Sequence, residues 1–262
     1  MSEIHIIKGL GADKKLGQNF LIDKNYIHRE LAYCEAEGKD VLEIGPGIGA
    51  LTVGLAGKAK RLTAIEIDER LMPLLKERLR EFHNLELICG DALEFTPAKK
   101  FDLVVSNVPY YVASKLVLMV PELGAEAIIC IQKELAERIV AKPGSEDYSR
   151  FSVMCQLLFD VNLLERVPAG AFYPAPSVES AIVRLKVSGE VCKELSTFIN
   201  AIFQHRNKKL RNAVIDSREL LGLDKKDSAK RAAKLSLCDR RVITLSKEEV
   251  VSSYGEFTGA LY

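Results

Sequence analysis

Asp40-Val41-Leu42-Glu43-Ile44-Gly45-Pro46-Gly47-Ile48-Gly49 decides the fold. A short apolar-rich run passes directly into a turn of three alternating glycines, and residues 51–58 then carry apolar side chains at helical spacing. Glycine lets a backbone turn sharply and approach a ligand closely. In an open α/β sheet this turn lies at the carboxyl ends of the strands, where ligands bind. Outward from it the alternation repeats. Arg61–Glu66 reads as a second strand, residues 69–81 as a helix, and Leu85–Cys89, residues 101–106 and residues 126–131 as three further strands. Such alternation needs crossover connections and predicts a mostly parallel, doubly wound Rossmann-like sheet. Residues 161–166 and Ser180–Val187 read as two more strands, with antiparallel pairing expected at one edge.

After Ser188-Gly189 the pattern changes to helices over residues 193–203, 208–215 and 247–254. The expectation is a main α/β domain over residues 1–188 and a small all-helical domain over residues 189–262. At 48% hydrophobic and 28% charged the chain is ordinary globular protein. No run approaches the ~18 apolar residues of a membrane span. The start, Met1-Ser2-Glu3-Ile4-His5, lacks a signal-peptide pattern, so a cytoplasmic protein is expected. The six cysteines are scattered singly, and Cys89, Cys130 and Cys155 lie in apolar runs as small hydrophobes. The four histidines are equally dispersed and show no metal-ligand spacing. The helical tail carries more Lys and Arg than Asp and Glu, weak evidence for a polyanion partner. No heptad pattern or long apolar edge suggests an oligomer, so a monomer is expected.

The glycine spacing is Gly-x-Gly-x-Gly, not the Gly-x-Gly-x-x-Gly that sets a pyrophosphate over a helix N-terminus. Glu43 precedes it, unwelcome beside a phosphate but compatible with a cationic ligand. Glu66 ends the second strand, about twenty residues on, where a carboxylate accepts the hydroxyls of an unmodified ribose. Gly90-Asp91-Ala92 ends the third strand, with Asp91 able to accept from an adenine amino group. Adenosine without phosphates, joined to a positive charge, describes S-adenosylmethionine. A nicotinamide cofactor, or a plain glycine turn with two solvated carboxylates, are the competing readings.

Asn107-Val108-Pro109-Tyr110 follows the apolar run Leu103-Val104-Val105. Proline fixes its own φ and biases the preceding residue toward extended geometry. The Asn107 carboxamide and the Val108 carbonyl then aim at one point beside an aromatic ring, as an exocyclic aromatic amine requires. A strand-end turn with a capping Asn is the competing reading.

Leu16-Gly17-Gln18-Asn19-Phe20-Leu21, Glu43 to Gly49, Glu66, Gly90-Asp91-Ala92 and Asn107-Val108-Pro109-Tyr110 occur in this order. Tyr148-Ser149-Arg150-Phe151-Ser152-Val153, Phe172-Tyr173-Pro174-Ala175-Pro176-Ser177-Val178-Glu179-Ser180 and Phe203 to Asn212 follow. Together these segments resemble the KsgA-type ribosomal RNA adenine dimethyltransferases over nearly the whole chain. The resemblance implies a Rossmann-like methyltransferase sheet with a helical RNA-docking domain. It implies S-adenosylmethionine contacts at Asn19, Leu21, Gly45, Gly47, Glu66, Ile67, Asp91, Ala92 and Asn107. It implies catalytic roles for Asn107, Val108, Pro109, Tyr110 and Phe172, with Tyr110 and Phe172 stacking on the target base. Lys14, Lys15, Arg206, Lys208, Lys209 and Arg211 are candidate RNA phosphate contacts, as are Lys58, Lys60 and Arg61. The implied reaction is N6,N6-dimethylation of two adjacent adenines near the small-subunit RNA 3′ end, on an immature small ribosomal subunit. A related large-subunit enzyme that confers antibiotic resistance shares the cofactor loop and the Asn-x-Pro-Tyr logic. An assembly factor acting mainly by binding is the third reading.

Overall fold

The computed structural model describes residues 3–13, 16–107 and 112–259. Nine strands are present among them: β1 (Phe20–Leu21), β2 (Asp40–Ile44), β3 (Arg61–Glu66), β4 (Leu85–Cys89), β5 (Leu103–Asn107), β6 (Glu126–Gln132), β7 (Phe159–Val167), β8 (Phe172–Tyr173) and β9 (Ser180–Val187). Seven form one sheet in the order β4-β3-β2-β5-β6-β9-β7. The run from β4 to β6 is parallel, and β9 joins β6 antiparallel. Every residue of β2 is buried, as are the first four of β5. That continuous burial is the mark of a parallel sheet covered on both faces. The chain builds outward from β2 through β3 to β4, then returns to lay β5 on the other side of β2. The strand order therefore reverses between β2 and β5, and a crevice opens beyond their carboxyl ends. Ile44 and Ser106 are paired there, and Ser106 Oγ donates to Ile44 O at 2.8 Å, tying the two strand ends together.

The expected strands are all present, with ends shifted by one or two residues. The expected helix over residues 69–81 is instead a 3-10 turn, Glu69–Leu71, followed by an α-helix, Met72–Arg78. Pro73 explains the restart, because a residue with no N–H is tolerated only in a first helical turn. The helix Lys24–Cys34, missed in the sequence, is capped by Asp23, whose Oδ1 accepts from Asn25 N at 2.8 Å. It packs closely on the helix Thr52–Ala56 at Gly54, where a Cβ would stand 2.4 Å from Leu31 Cδ1. A two-stranded sheet was also missed: β1 pairs antiparallel with β8, Phe20 opposite Tyr173 and Leu21 opposite Phe172. Two-residue strands have no periodicity to read. Cys130 and Cys155 are buried as expected of small hydrophobes, but Cys89 is exposed, because β4 is an edge strand with an intermediate-to-exposed pattern. No helix among the described residues is long and apolar enough to cross a membrane.

The chain divides into two compact units. One holds residues up to Ala136 together with Asp160–Val187, and the other holds Glu137–Phe159 together with Ser188 onward. The division falls at 187/188, against the expected 188/189, and residues 137–159, read as part of the α/β domain, group with the helical unit. The reason is Tyr148. It is fully buried, its hydroxyl donates to Leu245 O at 2.8 Å, and its ring packs edge-on against Phe203 at 5.9 Å. The rest of that unit's core forms around Phe198, against Tyr254 and Phe257 from the helix Lys247–Thr258.

Candidate active site

The glycine turn after β2 is held from three sides. Gly45 N donates to Ile65 O at 2.9 Å, Gly47 N donates to Glu66 Oε2 at 2.9 Å, and Arg78 Nη1 donates to Ile48 O at 2.6 Å. Gly47 has φ +59, in the left-handed region, and an added Cβ would stand 3.0 Å from Phe20 Cδ1. Both the backbone and the space therefore demand glycine there. Glu66 also accepts from Asp68 N through Oε1 at 2.9 Å. Burial pushes the Glu66 carboxyl up, and the two backbone donors hold it down.

Asp68 anchors the segment before β1. Gln18 Nε2 donates to Asp68 Oδ2 at 2.7 Å, and Gln18 Oε1 accepts from Asp13 N at 2.8 Å. Arg70 adds a two-pronged contact, Nε to Oδ1 at 2.8 Å and Nη2 to Oδ2 at 2.7 Å. The Arg70 guanidinium, with Gln18 behind it, holds Asp68 down to about 2.

These walls enclose a cavity of about 280 Å³ at the switch point between β2 and β5. The sequence-predicted residues Asn19, Leu21, Gly45, Gly47 and Glu66 line it. So do Ile67, Asp91, Ala92, Asn107 and Phe172. Asn19 Nδ2 donates to Gly17 O at 3.1 Å, and Asp91 Oδ1 accepts from Leu93 N at 2.8 Å, which fixes the turn after β4. Ile67 is exposed at the cavity, an apolar surface for a flat ring. Phe172 is buried in the core of the α/β unit and reaches the same cavity. Val108, Pro109, Tyr110, Lys14 and Lys15 lie outside the described residues.

Two acidic residues complete the picture. Glu43 is buried in β2, lines the cavity, and its Oε2 has no hydrogen-bond partner. Burial, helped by the neighbouring Glu66 charge, pushes it up to about 8. Such an orphan is costly unless a ligand pairs with it. The sequence marks Glu43 as hostile to phosphate and compatible with a cationic ligand, without showing that it is buried. Glu30 carries no signal in the sequence, because the helix that holds it was itself missed and an acidic residue normally reads as solvated surface. Glu30 is fully buried and faces Asn107.

Four of the remaining basic candidates, Arg206, Lys208, Lys209 and Arg211, are on the helical unit and engaged with it. Arg206 Nη1 donates to Glu146 O and Tyr148 O, both at 2.9 Å, so it braces the loop that carries Tyr148. Lys208 pairs with Asp216 at 2.7 Å, while Lys209 and Arg211 share Asp239 at 2.8 and 3.1 Å. In the α/β unit Lys58 pairs with Glu37 and Arg61 with Asp40. Among the described residues no group of His, Cys, Asp and Glu could hold a metal ion.

The cavity suits adenosine carrying a positive charge. A carboxylate at the end of β3 faces it, an unpaired buried carboxylate lies beneath it, and the glycine loop already gives one N–H to Glu66. A pyrophosphate would meet Glu43 and Glu66 instead of free donors. Sheet order and site together define a Rossmann-like methyltransferase. The sequence pattern of the family described as "Ribosomal RNA adenine dimethylase" matches residues 10–243. A probable ribosomal RNA small subunit methyltransferase A from Thermococcus onnurineus is 41% identical over 249 residues, covering 92% of this chain and 91% of the relative. Among solved structures, a dimethyladenosine transferase from Plasmodium falciparum superposes with TM-score 0.79 at 28% identity, covering 92% of this chain and 98% of that one. The 23S rRNA methyltransferase ErmE superposes with TM-score 0.66 at 27% identity, covering 92% and 100%. The chain belongs to the ribosomal RNA adenine dimethylase family. It is an S-adenosylmethionine-dependent rRNA adenine dimethylase.

Proposed function

We propose that this protein dimethylates N6 of two adjacent adenines in the 3′-terminal hairpin loop of small-subunit ribosomal RNA, acting as a cytoplasmic monomer on an immature small subunit. The observation that carries the reading is the convergence of Asn107 and Phe172 on the cavity built by Glu66 and the glycine loop. S-adenosylmethionine supplies an electrophilic methyl group on a sulfonium. The protein's own task is to make adenine N6 a nucleophile, because its lone pair is delocalised into the ring.

The Asn107 carboxamide oxygen accepts one N6 hydrogen, and the Val108 carbonyl accepts the other. Two acceptors favour a pyramidal nitrogen and stabilise the positive charge that develops on it, the inverse of an oxyanion hole. Holding that nitrogen in line and in contact supplies much of the remaining acceleration. No strong base is needed first, since the N6 proton becomes acidic only as the new bond forms. Phe172 and Tyr110 stack on the target base, which must be unpaired or flipped out to arrive. Such stacking is worth roughly 1–3 kcal/mol per base. The helical unit and its basic side chains dock the folded RNA through phosphates, which position without reading sequence.

A large-subunit target is the second reading, favoured by the likeness to ErmE. Methyl transfer from labelled S-adenosylmethionine to immature small subunits, large subunits and bare RNA separates the two. The expected product is N6,N6-dimethyladenine near the small-subunit RNA 3′ end. Label on the large subunit would overturn the small-subunit reading.

A further inference from the structure

Glu30 lies within the helix Lys24–Cys34 and has no exposed surface. Acidic side chains are almost never fully buried unless paired, and among the described residues Glu30 forms no ion pair. What it faces is the functional amide. In the orientation that matches donors to acceptors, Asn107 Nδ2 donates to Glu30 Oε1 at 2.8 Å and lies 3.3 Å from Oε2. Asn107 lines the cavity, whereas Glu30 sits behind it in the protein interior.

A carboxamide is planar, with a donor on one branch and an acceptor on the other. Left to itself in a polar cleft, it presents either branch. Only the oxygen branch accepts a hydrogen from an amine; the NH2 branch would repel it. An ionised carboxylate has acceptors alone, so it selects one orientation. The geometry points to Glu30 as a positioning residue for methyl transfer: by accepting from Asn107 Nδ2 it turns the carboxamide oxygen toward the target amine. This inference rests on the role proposed above for Asn107.

The surroundings add a second consequence. Burial raises the Glu30 carboxyl to about 8, with the nearby Glu43 charge adding to the effect. The titratable groups around it are Glu43 on β2, Cys130 on β6 and Cys34 on its own helix. Both thiols are raised well above neutral by burial and stay protonated, so Glu43 is the acidic neighbour whose charge bears on Glu30. A protonated Glu30 gains an O–H donor that can satisfy the amide oxygen and stabilise the reversed orientation. The fraction of correctly turned Asn107 then grows as pH rises toward 8 and above.

The test is steady-state methyl transfer from labelled S-adenosylmethionine to immature small ribosomal subunits, between pH 6.5 and 9, with the full chain. Wild type is compared with Glu30→Gln, Glu30→Leu and Asn107→Ala, and cofactor Kd and Tm are measured for each. Glu30→Gln keeps the shape but can offer its own NH2 to the amide oxygen. Glu30→Leu replaces the carboxylate with an apolar group in an interior that suits one. Misorientation of a reacting group costs up to ~100-fold. The expected result is a kcat lowered about 10- to 100-fold in both Glu30 variants, with RNA KM and cofactor Kd unchanged and a flattened pH profile. Wild-type kcat and pH profile in both Glu30 variants, beside an inactive Asn107→Ala, would overturn the role of Glu30 and leave that of Asn107 standing. Parallel losses of Tm, cofactor affinity and kcat in both would also overturn it, marking Glu30 as a packing residue. An active Asn107→Ala would instead sink the reading on which the inference rests.

Discussion

Glu43 and Asp68 stand at the carboxyl ends of neighbouring strands, both nearly inaccessible at 2% and 5% exposure, yet they titrate in opposite directions. Asp68 accepts from Gln18 and from both the backbone and the guanidinium of Arg70. Glu43 keeps an oxygen with no donor at all. Burial disfavours both charges, more strongly that of the deeper Glu43, and only Asp68 has donors enough to overcome it. A buried carboxylate whose lone pairs are filled is scaffold: Asp68 fastens the segment before β1 to the turn after β3. A buried carboxylate left unfilled beside a cavity faces a ligand. Glu43 belongs to that second kind, and Glu30, with one amide for company, lies near it.

The largest test of this division is Asn107→Ala, which removes the acceptor at the ligand-facing side. The kcat for methyl transfer should fall ~100- to 1000-fold, the range for losing one preorganised partner of developing charge. Cofactor affinity measured by calorimetry should stay within a few-fold, because Glu66 and the glycine loop are untouched. Gly47→Ala attacks the scaffold side. Left-handed backbone costs a non-glycine residue ~1–2 kcal/mol, and the new methyl must also displace Phe20. We expect cofactor Kd to weaken at least about tenfold, since 1.4 kcal/mol is a factor of ten, with the two defects clearly separable in one titration series.

The pH dependence of stability separates the same two carboxylates by sign. The Glu43 carboxyl is raised in the folded state, so the folded protein holds that proton more tightly than the unfolded chain. Its contribution is complete below the ordinary carboxylate range and is lost as pH rises toward about 8. Glu43→Gln should therefore raise the apo-protein Tm at pH 8 by a few degrees and leave it nearly unchanged at pH 4.5. It should also abolish a rise in S-adenosylmethionine affinity with pH, because only the ionised carboxyl attracts a cation. Asp68 behaves in reverse. Its carboxyl is depressed, so its contribution is present above the ordinary range and lost as pH falls toward about 2. Gln18→Ala removes one of its donors while Arg70 remains. A loss of about 1 kcal/mol at pH 7 in urea unfolding should shrink toward zero at pH 2. A loss independent of pH would show that Gln18 acts through Asp13 instead.

How far the sequence could carry this division depends on which signal each residue left. The parallel sheet was legible because β2, β3 and β5 are short apolar runs separated by glycine turns and helical spacing. Residues at strand ends were legible too, since chain order alone places Gly45, Glu66, Asp91 and Asn107 along one edge. Pairing of β1 with β8 was not, because it joins two segments some 150 residues apart through two residues each. That pairing is what brings Phe172 beside Leu21. Residues 137–159 carry no pattern that ties them to either unit, and tertiary contacts assign them: Tyr148 is buried against Phe203 and Leu245, and Arg206 braces its loop. Glu30 left no signal, because a lone carboxylate in an amphipathic helix looks solvated until a partner appears across the fold.

The smallest predicted effects lie on the helical unit, where charge is neither buried nor orphaned. Lys209 and Arg211 are exposed and already share Asp239. Exposed pairs of this kind contribute about 0–1 kcal/mol, so Lys209→Ala should shift urea stability by less than that. Its effect on RNA is a separate quantity. If the ammonium replaces a counterion on a phosphate, the slope of log affinity against log salt should drop by about one. Asp239→Asn then supplies the opposite sign: releasing both cations from their carboxylate should tighten RNA binding at low salt and leave methyl-transfer kcat alone. A salt slope unmoved by Lys209→Ala, Arg211→Ala and Asp239→Asn alike would mean this face is solvated surface. RNA docking would then have to be sought among the other exposed cations of the helical unit.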